Sequence, residues 1–414
     1  MANYSIKFLE HKNRLANFNK LDKTLQDFIE QKAFEYRLSF QDLKALVDIA
    51  IDLNMWQEGS LADIWEDRGS RKETIKALKI KYEEIKLKPK SYSSFRAIKG
   101  TKKFKIEERE RATLGFGQCP VASEKTRCCN LLTLDAVESC GFDCSYCSIQ
   151  SFYNEGKVVF DTNFKERLKA LKLDKNRYYH IGTGQSSDSL MWGNRGGVLE
   201  ALFEFARENS NVILELKTKS DNIDYLLKND IPKNVITTWS INPQTIIDSE
   251  EHFTASLEKR IESARAIANK GNLVGFHFHP IIVYENYLSE YREIIERLLK
   301  LFTPQEVAMV SMGTLTFIKP VIKKLRDRNF ATKILQMPFE NASGKLSYPI
   351  ELKKEMFSSI YNMFKPWQKE VYFYLCMEEH SLWRDIFGYE YKSNDEMEED
   401  MISSYLEKIR LIDS

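Results

Sequence analysis

Cys140-Gly141-Phe142-Asp143-Cys144-Ser145-Tyr146-Cys147 sets three cysteines in a C-x3-C-x2-C array. It follows the largely apolar run 130–137, which reads as a buried strand delivering a loop. Three thiolates at this spacing can wrap one face of a small inorganic centre. Zinc in a structural site asks for a fourth ligand and a closed tetrahedron. A cubane iron–sulfur cluster on three cysteines instead leaves one iron open to a cofactor or substrate. The spacing alone leaves both open.

The rest of the chain narrows the setting. Seven cysteines, most of them between Cys119 and Cys147, suit a metal site better than a disulfide framework. Free thiols imply a reducing compartment, so a cytoplasmic location is expected. Residues 1–10 hold no apolar core of signal-peptide length. No stretch approaches the roughly 18 uncharged apolar residues of a membrane span, so no membrane partner is expected. The 414 residues carry a formal net charge of +1, which excludes global attraction to nucleic acid and leaves only local patches.

Three regions are expected: a helical N-terminal domain with a basic linker (1–110), an α/β core (111–330) and a C-terminal helical cap (331–414). In the first, Ser39 can cap a helix whose apolar positions Leu43, Leu46, Val47, Ala50 and Ile51 keep the 3.6 period. Between Lys76 and Lys105, eleven basic residues face only Glu83 and Glu84, with Tyr82, Tyr92, Phe95 and Phe104 interleaved. Such a segment can track a phosphate backbone and stack on bases, although a charge run is more often a solvated face. In the core, strand-like runs at 130–137, 177–182, 212–216, 235–240, 273–278 and 307–312 alternate with helical patterns at 164–172, 197–209, 254–270 and 286–301. Alternation of this kind implies a parallel sheet with helical crossovers. Six units suggest a partial (β/α)6 barrel open along one side, with its chemistry at the carboxyl ends of the strands. The aromatic run 371–377 is expected to cover the mouth, and the acidic stretch 395–400 to be a solvated helix.

C-x3-C-x2-C with an aromatic residue before its last cysteine resembles the signature of radical S-adenosylmethionine enzymes. The string Cys144-Ser-Tyr-Cys-Ser-Ile-Gln150 is similar to the spore photoproduct lyase branch of that superfamily. So are Asp188-Ser-Leu190, Glu215-Leu-Lys-Thr-Lys219, Trp239-Ser-Ile-Asn242 and Leu375-Cys-Met-Glu378, so the resemblance covers about residues 115–390. It implies a radical-SAM barrel in which Cys140, Cys144 and Cys147 bind a 4Fe–4S cluster. S-adenosylmethionine chelates the open iron and is cleaved reductively to a 5′-deoxyadenosyl radical that abstracts hydrogen. A reductant such as flavodoxin or ferredoxin supplies the electron.

The strand ends offer the remaining partners. Gly182, Gly184 and Gln185 follow the second run, where glycines allow close backbone approach to the cofactor amino group. Lys217, with Lys219 behind it, is expected on the cofactor carboxylate, and Ser240 and Asn242 on its ribose or methionine part. His277 and His279 share a strand face if Phe278 points away, and Gly313 follows the sixth run.

Lyases of this branch act on a methylene-bridged thymine dimer and return hydrogen through a cysteine in the loop after the second strand. Here the loop 182–190 has no cysteine, and Ser148 stands where a tyrosine is usual. Tyr146 is retained, and Cys376 can substitute if the C-terminal segment folds over the site. These two are the candidate catalytic side chains. Cys119, Cys128 and Cys129 are expected to be buried free thiols. Three functions stay in view: a DNA-lesion lyase, a same-branch enzyme on another substrate, and a non-catalytic iron–sulfur or zinc protein.

Overall fold

The computed structural model describes residues 2–97, 103–119, 125–148, 156–328, 330–342 and 344–413. Lys99 and Lys102 of the basic segment, with Ile149 and Gln150 beyond the cysteine loop, lie outside them. The chain forms two compact units: residues 1–99 with 283–285 and 316–347, and residues 100–282 with 286–315 and 348–414.

The first unit is helical, over Ala2–Asn13, Lys23–Tyr36, Phe40–Trp56 and Arg71–Leu87. Ser39 and Asp42 close a capping box on the third helix, and the predicted stripe from Leu43 to Ile51 is buried. Segment 316–347 joins this unit instead of the core or cap in which it was expected. The reason is a buried carboxylate: Arg326 grips Asp52 at 2.8 and 2.6 Å, Tyr82 donates to the same side chain at 2.6 Å, and Lys333 caps the Trp56 carbonyl at 2.8 Å.

The second unit is built on an eight-stranded sheet: β1 (Gly115–Gln118), β2 (Leu132–Asp135), β3 (Tyr179–Thr183), β4 (Val212–Thr218), β5 (Val235–Ser240), β6 (Val274–Ile281), β7 (Val307–Thr314) and β8 (Tyr372–Leu375). Spatial order follows chain order, and every pairing is parallel except β1 with β2. All six predicted strands are present. The aromatic run expected over the mouth is instead β8, paired in parallel with β7 and buried throughout.

Register sorts the side chains into two faces. Leu214, Leu216, Trp239, Phe276, Phe278, Val310 and Met312 share the apolar one, all buried. Glu215, Lys217, Thr238, Ser240, His277 and Ser311 share the other. The two edges of the sheet are linked. Residue Thr126 bridges Glu379, Arg127 N–H donates to the Glu378 carbonyl at 3.1 Å, and His380 N–H to the Lys125 carbonyl at 3.2 Å. The acidic C-terminal stretch forms helix Asn394–Asp413, whose buried face carries Met397, Met401 and Tyr405. The Tyr405 ring meets His180 of β3 and Tyr372 of β8 edge-on, so this helix fills the seam between the edges and is solvated only on its outer side. No helix among the described residues is long and apolar enough to cross a membrane.

Candidate functional site

The cysteine loop leaves the carboxyl end of β2 and is strapped down at its centre. Cys144 pairs with Glu251 and Asp143 with His252 in a short antiparallel bridge. Ser145 N–H donates to the Glu250 carbonyl at 2.8 Å, and its hydroxyl to the Glu250 carboxylate. Behind the strap, Glu251 accepts from Arg260 at 2.5 Å, from the Asn242 amide at 2.7 Å and from the Tyr146 hydroxyl. Arg260 and Glu251 are both fully buried. Burial alone would raise Glu251, but the charges of Arg260 and Lys219 and the bonds from Tyr146 and Asn242 bring it down to about 2. Two sequence expectations change here. Asn242 is enclosed, with its oxygen taken by Tyr291 at 2.7 Å, so it holds the loop and does not reach toward a cofactor. The Tyr146 hydroxyl is likewise committed to Glu251.

The loop borders a cavity of about 180 Å³. Cys140, Cys144 and Cys147 line one side, and Gly184, Gln185, Lys217, Lys219 and Ser240 also line it. Asp188 joins these elements. It accepts from the backbone N–H groups of Leu190, Met191 and Lys219 at 3.0, 3.0 and 2.7 Å, and from the Thr218 hydroxyl at 2.7 Å. That fastens the loop after β3 to the end of β4 and fixes the stems of Lys217 and Lys219. Gly184 has φ +90° and lies so close to the Lys217 carbonyl that a Cβ would sit 2.7 Å from it. Gly182 serves packing instead: a Cβ there would meet Leu131 at 3.0 Å. Gly313 makes room for the His279 ring, 2.8 Å from the Cβ position. Gly141 sits under Met191 and Trp192, and Trp192 is anchored to Ser187 at 3.0 Å.

Cys376 stands at the carboxyl end of β8, its N–H bonded to the Met312 carbonyl at 2.7 Å. The next residue, Met377, has φ +57°. Glu378 then locks the turn by accepting from Thr314 N–H at 3.0 Å and from Lys353 at 2.7 Å. Burial pushes the Cys376 thiol up to about 12, with Lys217 acting in the opposite sense. The edge-to-edge link brings Cys128 and Cys129 to the same end. There the Cys129 thiol bonds to Cys128 and lowers it to about 7.

The aromatic half of the basic segment is spent on packing. Tyr82 stacks on Trp56 at 5.4 Å, Tyr92 meets Phe95 and Tyr284 edge-on, and Phe104 meets Trp192. Lys76, Lys79, Lys88, Arg96, Lys103 and Lys105 are exposed.

Three soft thiol donors on one loop, facing two lysines and a glycine-flanked polar turn, fit a thiolate-ligated cluster with an open side. Fold and site define an α/β protein with a cysteine-lined cavity at the carboxyl ends of a largely parallel sheet. Over residues 71–349 the chain matches the family model for spore photoproduct lyase, and it belongs to that family. Among its relatives, the spore photoproduct lyase of Clostridium acetobutylicum is 30% identical over 169 residues, 40% of this chain and 50% of that protein. That of Bacillus subtilis (strain 168) is 26% identical over 214 residues, 50% of this chain and 62% of that protein. The aligned stretches thus span about half to three-fifths of these relatives. The structure of a spore photoproduct lyase complexed with dinucleoside spore photoproduct superposes with TM-score 0.57 at 19% identity, over 73% of this chain and 94% of that one. A mutant with bound AdoMet and dinucleoside spore photoproduct gives 0.56 at 20% identity, with the same coverage. These two show a shared fold.

Proposed function

We propose that this chain is a radical S-adenosylmethionine enzyme of the spore photoproduct lyase type, acting on a nucleobase lesion in DNA. The observation that carries the reading is the single cavity shared by Cys140, Cys144, Cys147, Gln185 and Lys217. When bound, a 4Fe–4S cluster and S-adenosylmethionine supply reductive cleavage to a 5′-deoxyadenosyl radical. Cys140, Cys144 and Cys147 would hold the cluster. Lys217 would take the cofactor carboxylate, the Gly184–Gln185 turn its amino group, and Ser240 its ribose or methionine part. The sheet is read as a (β/α)6-type barrel whose seam is filled by the C-terminal helix. Cys376, fixed at the end of β8, is the hydrogen-return candidate. A flavodoxin- or ferredoxin-like donor supplies the electron in a reducing, cytoplasmic setting. The exposed lysines between Lys76 and Lys105 supply phosphate contacts without base stacking.

Anaerobic reconstitution followed by assay for 5′-deoxyadenosine tests this. The native chain forms it, and the Cys140→Ala, Cys144→Ala, Cys147→Ala triple variant does not; formation by the triple variant sinks the reading. The cysteine-free loop 182–190 favours a second reading, a same-branch enzyme on a non-DNA substrate. A dinucleotide containing spore photoproduct separates the two. Recovered thymine supports repair, and 5′-deoxyadenosine without thymine supports the second.

A further inference from the structure

Beneath the cavity, the polar face of the sheet carries a hydrogen-bonded layer where a sheet interior usually holds branched apolar side chains. Glu215 lies two residues before Lys217 on β4, on the same face and one rung deeper. His180 Nε2 reaches one carboxylate oxygen at 2.9 Å; His277 Nε2 and the Thr238 hydroxyl reach the other at 2.6 and 2.7 Å. His277 Nδ1 meets the Ser311 hydroxyl at 2.5 Å. All five side chains are buried.

Burial and the charge of Lys217 bring His277 down to about 4, so it is neutral near pH 7. It then donates from Nε2 to Glu215 and accepts from Ser311 at Nδ1. Burial also opposes ionisation of Glu215, but the two histidines outweigh it and hold the carboxyl well below its usual range. The layer therefore contains a carboxylate served by imidazoles and a hydroxyl. Two other buried acids near the site each face a cation: Glu251 faces Arg260 and Glu378 faces Lys353. Among the described residues no lysine or arginine forms an ion pair with Glu215, and none of the acids pairs with Lys217. A buried anion served only by such donors is costly, and it favours positive charge in the cavity above it.

We propose that Glu215 is a positioning residue that gives the cavity its preference for a cationic sulfonium over the uncharged thioether of the same nucleoside. The inference rests on the S-adenosylmethionine reading above and concerns how this chain recognises the charge of that cofactor. Glu215 acts from one rung below, through His277 and beside Lys217, and touches no reacting atom. Its charge also offsets that of Lys217, which otherwise repels a sulfonium.

The test is equilibrium binding of S-adenosylmethionine and S-adenosylhomocysteine to the anaerobically reconstituted chain, native and Glu215→Gln. The two ligands share adenosine, carboxylate and amine and differ in the methyl group and charge at sulfur, so the change in preference between the native chain and Glu215→Gln reads the charge. The native chain is expected to prefer S-adenosylmethionine, and Glu215→Gln to lower that preference by about tenfold. Thr238→Val, which removes a hydrogen bond but no charge, is expected to leave the preference within about twofold. Equal losses for both ligands in Glu215→Gln would make the layer merely structural and overturn the proposal. So would a native chain that binds both equally, which is decisive even if the variant fails to fold. Failure of the native chain to bind either ligand would instead overturn the cofactor reading itself, and this proposal with it.

Discussion

Because Glu251 is enclosed and ionised, its carboxylate converts the fold of one segment into the position of another. Arg260, Asn242 and Tyr146 converge on it, and its backbone pairs with Cys144, the central cysteine of the loop. Its carboxyl lies at about 2 in the folded chain against an ordinary 4.5. A depressed carboxyl contributes stability that is complete above pH 4.5 and is lost as pH falls toward 2. The contribution is on the order of 3 kcal/mol. Urea unfolding of the native chain and Glu251→Gln at pH 7 and pH 3 checks this. The variant is expected to be weaker by about 3–5 kcal/mol at pH 7, since Arg260 loses its buried partner, and to change less on acidification. Parallel losses in both would contradict the assignment.

At the scale of elements, the site depends on loops tied across strands. Asp188 gathers four donors from two elements, so Asp188→Ala leaves the Thr218 hydroxyl and three N–H groups without their acceptor. A loss of about 2–4 kcal/mol is expected. S-adenosylmethionine affinity should fall as the Lys217 stem and the Gly184 turn part, whereas Asp188→Asn, which keeps one acceptor oxygen, should lose less. Unchanged affinity in Asp188→Ala would show that the loop holds without its latch. The sequence makes the six main strands readable because each is an apolar run closed by turn residues. It hides β8, since Tyr372-Phe-Tyr-Leu375 has no polar alternation and its partner β7 lies some sixty residues earlier. Lys217, Ser240 and Gln185 were legible from their places after strands. Glu250 and Glu251 were not, because nothing local marks an acid that pairs with a cysteine more than a hundred residues away. Arg260 did leave a signal. It stands on the i, i+4, i+7 stripe with Ala264 and Ile267, where a charge has to be buried and therefore needs a partner.

For the second unit as a whole, the decisive feature is that the two edges of one sheet meet through chain segments far apart in sequence. Helix Asn394–Asp413 seals that meeting, and Tyr405→Ala is expected to cost about 3–5 kcal/mol in chemical denaturation, because its ring packs against both His180 of β3 and Tyr372 of the edge strand β8. A loss below 1 kcal/mol would mean that the seam closes without it. The same closure gathers thiols from opposite ends of the chain, bringing Cys376 to Cys128 and Cys129 beside Cys119. Four cysteines together invite the idea of a second cluster. Their placement argues otherwise: Cys128 and Cys129 are neighbours in the chain, and Cys128 N–H is tied to Asn394 at 3.1 Å. Cysteines adjacent in the chain are poorly disposed to take separate corners of one cubane. Iron analysis after anaerobic reconstitution is therefore expected to give about four irons per chain. Cys119→Ser, Cys128→Ser and Cys129→Ser together should leave that number unchanged, and Cys144→Ala should abolish it. About eight irons, falling to four in the seam variant, would establish a second cluster and remove Cys376 from the role of hydrogen donor, because its thiolate would then be a ligand.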